Sequence, residues 1–268
     1  MFYQPHIDHM ELPCEGLPAG FDGLQILHLS DLHLTKWNQR LEKWTETLRG
    51  LKPHMLVITG DLGHRSWMWQ RSFETLQRLL EPVRPPLGGY FILGNHDSDK
   101  MGPALEETGR VLLENESVVF EAGGKRLALI GVHQHRRIDT DIPAAMRHVR
   151  ADDFKVMLLH YPDLIYQAAA AGAEVALAGH THGGQICWPD GRPIIRHDVL
   201  PREMCTGIHQ VNGTWMVVNR GIGVAGIRVR LFCPPHAIML TLRRGKPGEL
   251  SGAGSMNVQN ITRVADVA

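Results

Sequence analysis

No stretch of the 268-residue sequence approaches the ~20 uninterrupted apolar residues that a membrane-crossing helix requires. The opening residues, Met1-Phe2-Tyr3-Gln4-Pro5-His6, hold neither a basic region nor an apolar core, so no export signal is read there. Neither sign of charge is in excess. Lys and Arg number 28, as do Asp and Glu, so no global field recruits nucleic acid or anionic lipid. No run interleaves basic and aromatic residues, which argues against a nucleic-acid groove. Cysteine is scarce: Cys14, Cys187, Cys205 and Cys233 form no CxxC pair and no disulfide framework. Reduced, buried thiols in a cytoplasmic protein are the expectation.

What is present is the composition of a globular domain, 43% hydrophobic and 21% charged, with histidine in surplus at 16 residues. Histidine is the commonest metal ligand and acid–base group, so the surplus raises both chemistries. Apolar runs at 24–29, 55–59, 90–93, 155–159 and 174–178 read as buried strands. Helical stripes lie between them: Trp37, Leu41, Trp44 and Leu48, then Trp69, Phe73, Leu76 and Leu80. A short helix is expected near Pro103, a hairpin about Gly123-Gly124, and an alanine-rich helix from Pro162 to Ala171. Residues 7–23 mix polar and apolar positions with no long element, and Gly16 to Gly23 read as a loop into the first core strand. Later strands are expected at 215–218 and 237–242, and residues 244–268 read as a loosely ordered tail behind a single domain of residues 1–243.

Each of the five buried runs is followed at once by side chains that bind metals: Asp31 with His33, Asp61, Asn95 with His96, His160, and His180 with His182. Strands separated by helices pack in parallel, and ligands gather beyond their carboxyl ends. Setting His96 aside leaves two carboxylates, one amide oxygen and four imidazoles, a set suited to Mn, Fe, Zn or similar ions. Seven donors exceed the four that one closed zinc site needs, and a shared carboxylate, Asp61, can bridge two ions ~3.5–4 Å apart. The pairs Asp31/His33 and His180/His182 are expected to lie in extended chain, where residues two apart point the same way.

Asp31-x-His33, Gly60-Asp61, Gly94-Asn95-His96-Asp97, His160 and Gly179-His180-x-His182 together resemble the five ordered motifs of the calcineurin-like metallophosphoesterases. Leu159-His160-Tyr161-Pro162-Asp163, Gly183-Gly184-Gln185 and Asn219-Arg220-Gly221-Ile222-Gly223 are similar to the YaeI/YkuE-like phosphodiesterase branch. The resemblance implies an α/β fold, a four-layer α/β/β/α sandwich of two mixed β-sheets. It implies one ion held by Asp31, His33, Asp61 and His182, and a second held by Asp61, Asn95, His160 and His180. Members of the branch often carry an N-terminal anchor or export signal, and none is visible here.

The expected chemistry is in-line attack on phosphorus by a hydroxide shared between the two ions. His96, left over once ligands are counted, is the expected acid and transition-state stabiliser, with Asp97 orienting it or a ligand. His28 is read as a core residue, while His64, His133, His135 and His197 are lesser candidates for the site. Arg220 could pair with a phosphate or sit in a structural ion pair. Trp37 and Trp69 are read as core. Trp67 and Met68 are candidates for a wall against a lipid-bearing substrate or a peripheral contact with the inner face of the membrane. Competing readings are a UDP-2,3-diacylglucosamine-type lipid-nucleotide pyrophosphatase and a catalytically silent scaffold of the same fold.

Overall fold

The computed structural model describes residues 3–133, 140–195, 198–246, 256 and 258–264. Its first sheet grows from Leu24–Leu29 (β2), flanked in parallel by Met55–Thr59 (β3), Gly89–Ile92 (β4) and Val111–Leu112 (β5). On the other flank Ala237–Arg244 (β12) runs antiparallel to β2, and Ile7–Cys14 (β1) pairs in parallel with β12.

The second sheet contains Glu116–Ala122 (β6), Lys125–Gly131 (β7), Phe154–Leu158 (β8), Val175–Ala178 (β9), Gly207–Val211 (β10), Thr214–Val218 (β11) and Thr262–Val264 (β13). Their order is β10-β11-β9-β8-β7-β6-β13. The four central strands are parallel, and β6, β10 and β13 join antiparallel. Both sheets are therefore mixed.

The apolar runs are continuous because both faces of the central strands are covered. Alternation then divides each strand between two cores. Leu24 and Ile26 of β2 meet Leu127, Val156 and Val175 between the sheets. Leu27 and Leu29 face the opposite way, toward Gln39–Arg49 (α1), Trp69–Leu79 (α2) and Met101–Glu106 (α3). A third core sets Ala128, Ile130 and Ala176 of the second sheet against Ile142–Ala145 (α4) and Ile165–Ala170 (α5). Three cores separate four layers, α/β/β/α, as the resemblance implied.

Local signals account for the element ends. Asn38 caps α1, its side-chain oxygen accepting from the N–H groups of Arg40 (3.0 Å) and Leu41 (3.2 Å). Gly123 and Gly124, both at positive φ, close the β6–β7 hairpin. Two expectations fail. Residues 7–14 form an eight-residue strand where no long element was expected, because β1 is a half-exposed edge whose Asp8, His9 and Glu11 break the apolar pattern, and Pro13 is tolerated at an edge. Of residues 244–268, the described Ile261 packs on the core and Thr262–Val264 pair with β6. His135 and His197 lie outside the described residues. No helix among the described residues is long and apolar enough to cross a membrane.

Candidate metal centre

The sequence candidates converge from both sheets at the carboxyl ends of their strands. β2, β3 and β4 deliver Asp31, His33, Asp61 and Asn95, while β8 and β9 deliver His160, His180 and His182. The way the pairs converge differs from expectation. Asp31, His33, Asp61, His180 and His182 all have positive φ, between 43° and 66°, so neither i, i+2 pair lies in extended chain. Non-glycine residues seldom adopt this region, and backbone strain of this kind gathers at functional sites. The turns are held by backbone bonds between the loops: Asp31 N–H to Gly60 O, 3.1 Å, and His33 N–H to Asp61 O, 2.9 Å.

Asp31, His33 and His182 form one buried group of donors, and Asp31, Asp61 and His160 a second. His33 Nε2 lies 3.0 Å from His182 Nε2 and 3.4 Å from Asp61 Oδ2. The other oxygen of Asp61 is 3.6 Å from His160 Nε2. Asn95 Oδ1 and His180 Nδ1 are 3.0 and 3.3 Å from that same nitrogen. His160 donates its Nδ1 hydrogen to Thr59 O at 2.9 Å, which leaves the Nε2 lone pair facing these oxygens. Asp31 is divided likewise. Its Oδ2 accepts from Ser30 Oγ (2.6 Å) and His180 N–H (2.9 Å), whereas Oδ1 is buried, accepts no hydrogen bond and lies 3.5 Å from His182 Nε2. Lone pairs aimed at one another in a buried space are costly unless a cation sits among them, and this donor set fits divalent ions.

The titration behaviour agrees. Burial, then the neighbouring Asp61, pushes Asp31 well above the usual carboxylate range. Burial likewise lifts Asp61 to about 7. Burial and the nearby His96 and His64 hold His33 well below the ordinary histidine value. Metal binding reverses such carboxylate shifts, because the ligating form is the charged one.

His96 is half-buried, its ring edge-on to His33 at 5.0 Å between centroids, and its backbone N–H donates to Asp61 Oδ1 at 2.9 Å. Asp97 is buried and accepts from the N–H groups of Gly63 (2.8 Å) and Gly94 (2.9 Å). It thus positions the backbone that carries Asn95. Gly94 itself has no positive φ. A Cβ there would overlap Asp61 Oδ1 and come within 2.5 Å of Asp61 N, so close approach rather than turn geometry requires glycine.

The lesser candidates divide. His64 reaches the site, 5.8 Å from the His33 ring. His133 pairs with Glu114 at 3.0 Å, and His28 is a core residue bonded to Thr59 Oγ1. Arg220 takes the structural alternative, donating to Asp8 at 3.0 Å. Trp69 and Trp37 pack against the core, and Arg78 lies over the Trp37 ring at 3.9 Å. Trp67 is 73% exposed.

Three residues escaped the sequence reading. Ser30 orients Asp31, and its position beside that carboxylate was the available signal. Tyr161 lies edge-on to His160 and His180 at 5.1 and 4.4 Å. Arg230, buried and pulled down to about 10 chiefly by desolvation, approaches His182 Nδ1 at 3.2 Å while donating to the carbonyls of Arg220, Gly221 and Gly223. It sits 48 residues beyond His182, where no local pattern marks it.

Comparison with known proteins agrees with the geometry. The profile of the calcineurin-like phosphoesterases matches residues 24–184. The chain is 28% identical over 233 residues to an uncharacterised metallophosphoesterase, YkoQ of Bacillus subtilis (strain 168), covering 83% of this chain and 84% of that one. It is 28% identical over 235 residues to YkuE of the same organism, another uncharacterised metallophosphoesterase, covering 85% and 82%. It is also 24% identical over 283 residues to the UDP-2,3-diacylglucosamine pyrophosphatase LpxG of Chlamydia muridarum (strain MoPn / Nigg), covering 83% and 84%.

Proposed function

The chain belongs to the calcineurin-like phosphoesterase family, whose members act on phosphate esters, and on that premise we propose that it is a dinuclear metal-dependent phosphodiesterase. The observation that carries this reading is the division of Asp61, one oxygen toward His33 and the other toward His160. Asp31, His33, Asp61 and His182 would hold one ion, and Asp61, Asn95, His160 and His180 the second, with Mn, Fe or Zn the suitable metals. Two divalent cations held there would supply hydroxide at ordinary pH and neutralise charge on the phosphate oxygens.

The chain's own groups provide the rest. Asn95, His96 and His180 are the members of the site that reach solvent, so the phosphate ester enters over them. His96 stands beside His33 on that open side and delivers a proton to the leaving oxygen. Asp97 fixes the backbone on either side of the Asp61 carboxylate through Gly63 and Gly94. Asn95 offers a neutral oxygen, which limits negative charge where an anionic substrate docks. The four cysteines are free and buried, which supports a cytoplasmic location.

His96→Ala tests the catalytic assignment. Turnover of a chromogenic phosphodiester should fall ~10²–10⁴-fold while metal content is kept. Unchanged turnover with metals retained would remove His96 from the mechanism. Metal analysis of the purified protein separates enzyme from silent scaffold, the latter carrying no ions. A second reading, hydrolysis of a lipid-linked pyrophosphate, is favoured by the similarity to LpxG and by the exposed Trp67. A turnover screen of phosphomonoesters, phosphodiesters and lipid pyrophosphates with Mn present decides between them.

A further inference from the structure

Ten large apolar side chains are exposed among the described residues, and seven of them fall within residues 185–195 and 225–232. Solvent-facing apolar residues scattered singly are ordinary; a concentration in two neighbouring segments is not. The segments 185–195 and 225–232 are bound together by backbone. Cys187 N–H donates to Leu231 O (2.9 Å), Leu231 N–H to Gln185 O (3.0 Å) and Ile194 N–H to Ile186 O (2.9 Å). Gln185 clamps the second segment with its side chain, donating to Ala225 O and Ile227 O and accepting from Ala225 N–H. Trp188, Ile194, Ile195, Ile227, Val229 and Phe232 are therefore displayed on a built platform.

The platform adjoins the metal centre. Gln185 lies three residues beyond His182, and Arg230, from the second segment, packs against His182 itself. Arginines accompany the apolar residues, together with two exposed carboxylates, Asp190 and Glu203, the latter next to Arg202. Arg192, Arg202 and Arg228 are exposed, and Asp190 is already paired with Arg192 at 2.6 Å. Arg228 stands between exposed Ile227 and Val229. Apolar side chains interspersed with arginines suit the boundary of a bilayer, where rings and aliphatic chains enter the acyl region and guanidinium groups meet lipid phosphates.

We infer that the surface formed by residues 185–195 and 225–232 docks the protein on an anionic bilayer, with the metal centre beside the contact. This differs from the Trp67 region in location and goes beyond the phosphodiesterase reading, because it is read by binding without turnover.

The test uses the full chain and sedimentation with vesicles of phosphatidylglycerol or of phosphatidylcholine. Wild-type protein should bind the phosphatidylglycerol vesicles, more weakly as salt is raised, and bind phosphatidylcholine far less. The double variant Ile227→Ser/Phe232→Ser should lose about tenfold or more of that binding. Both proteins should hydrolyse a soluble chromogenic phosphodiester alike, which shows the variant folded. Wild-type protein that stays in the supernatant overturns the inference, as does a double variant that binds undiminished. A wild-type dimer in light scattering that the double variant converts to monomer also overturns it, since the face would then belong to a second copy. Vesicle binding by a protein that turns over no phosphate ester leaves this surface standing and removes the enzymatic reading.

Discussion

The two oxygens of Asp31 have different surroundings, and Ser30 is the reason. With Oδ2 occupied by Ser30 Oγ and the His180 N–H, only Oδ1 is presented to the centre. Residues that orient ligands this way typically contribute 10–100-fold in metal affinity or activity. Ser30→Ala should therefore weaken metal binding by roughly that factor, measured by competition with a chromogenic chelator. An unchanged affinity would assign Ser30 to packing alone. Gly94→Ala probes the same centre by crowding: its Cβ meets Asp61 and, at 2.7 Å, His160 Cε1. The clash is expected to lower stability by about 1–3 kcal/mol and metal content with it. A fully metallated variant with wild-type turnover would show that the loops can separate. Which side chains the strand ends bring together was legible because side-chain chemistry is written in the sequence. How they turn inward was not, because positive φ at Asp31, His33, Asp61, His180 and His182 is imposed by bonds to distant loops and leaves no glycine as a mark.

Strand β1 shows the same division one scale up. Central strands such as β3, buried throughout, announce themselves as uninterrupted apolar runs. An edge strand is fixed by its one neighbour and by side-chain ties. Asp8 on β1 ties the edge to the chain before β12, accepting from His236 Nδ1 and from Arg220 Nη2. Arg220 N–H donates to His236 Nε2 at 2.8 Å, so the imidazole is neutral. Burial is the main cause holding His236 down at about 4, with the charges of Arg220 and Arg230 acting in the same direction and Asp8 opposing them. The hydrogen bond from His236 holds Asp8 at about 2. The folded value of His236 lies below its unfolded 6.5, so between those limits the unfolded chain binds more protons. The contribution of His236 to stability is complete above pH 6.5 and is lost as pH drops toward 4, by roughly 3 kcal/mol. Asp8 adds a further loss from 3.8 down to about 2. In urea titrations across pH 6.5 to 4, wild-type protein should lose stability more steeply than His236→Gln, by close to one proton's worth of slope. Parallel slopes would show that His236 titrates alike in both states.

At the scale of the whole molecule, the centre lies where the two sheets meet. The first sheet contributes Asp31, His33, Asp61 and Asn95, and the second contributes His160, His180 and His182. The layers were readable from periodicity, since the alternate faces of β2 separate cleanly into the inter-sheet core and the core under the helices. The return of β12 into the first sheet was not, because nothing local specifies that a late strand inserts between β1 and β2. The chain leading into β12 also brings Arg230 against His182, in a centre built from earlier motifs. A divalent ion held across the seam would stabilise both sheets at once, since the unfolded chain does not assemble the site. With ions at about 100 times their dissociation constant, the linkage is worth roughly 2.7 kcal/mol per site. Removing them with a chelator should lower Tm by ~5–10 °C in a chain of this size, and restoring Mn or Zn should recover it. Asp61→Ala, lacking the carboxylate that faces both His33 and His160, should melt at the same temperature with or without chelator. If wild-type protein melts identically in both conditions while metal analysis confirms that its ions were removed, the seam is held by packing alone, and the charged centre contributes to reaction rather than to stability.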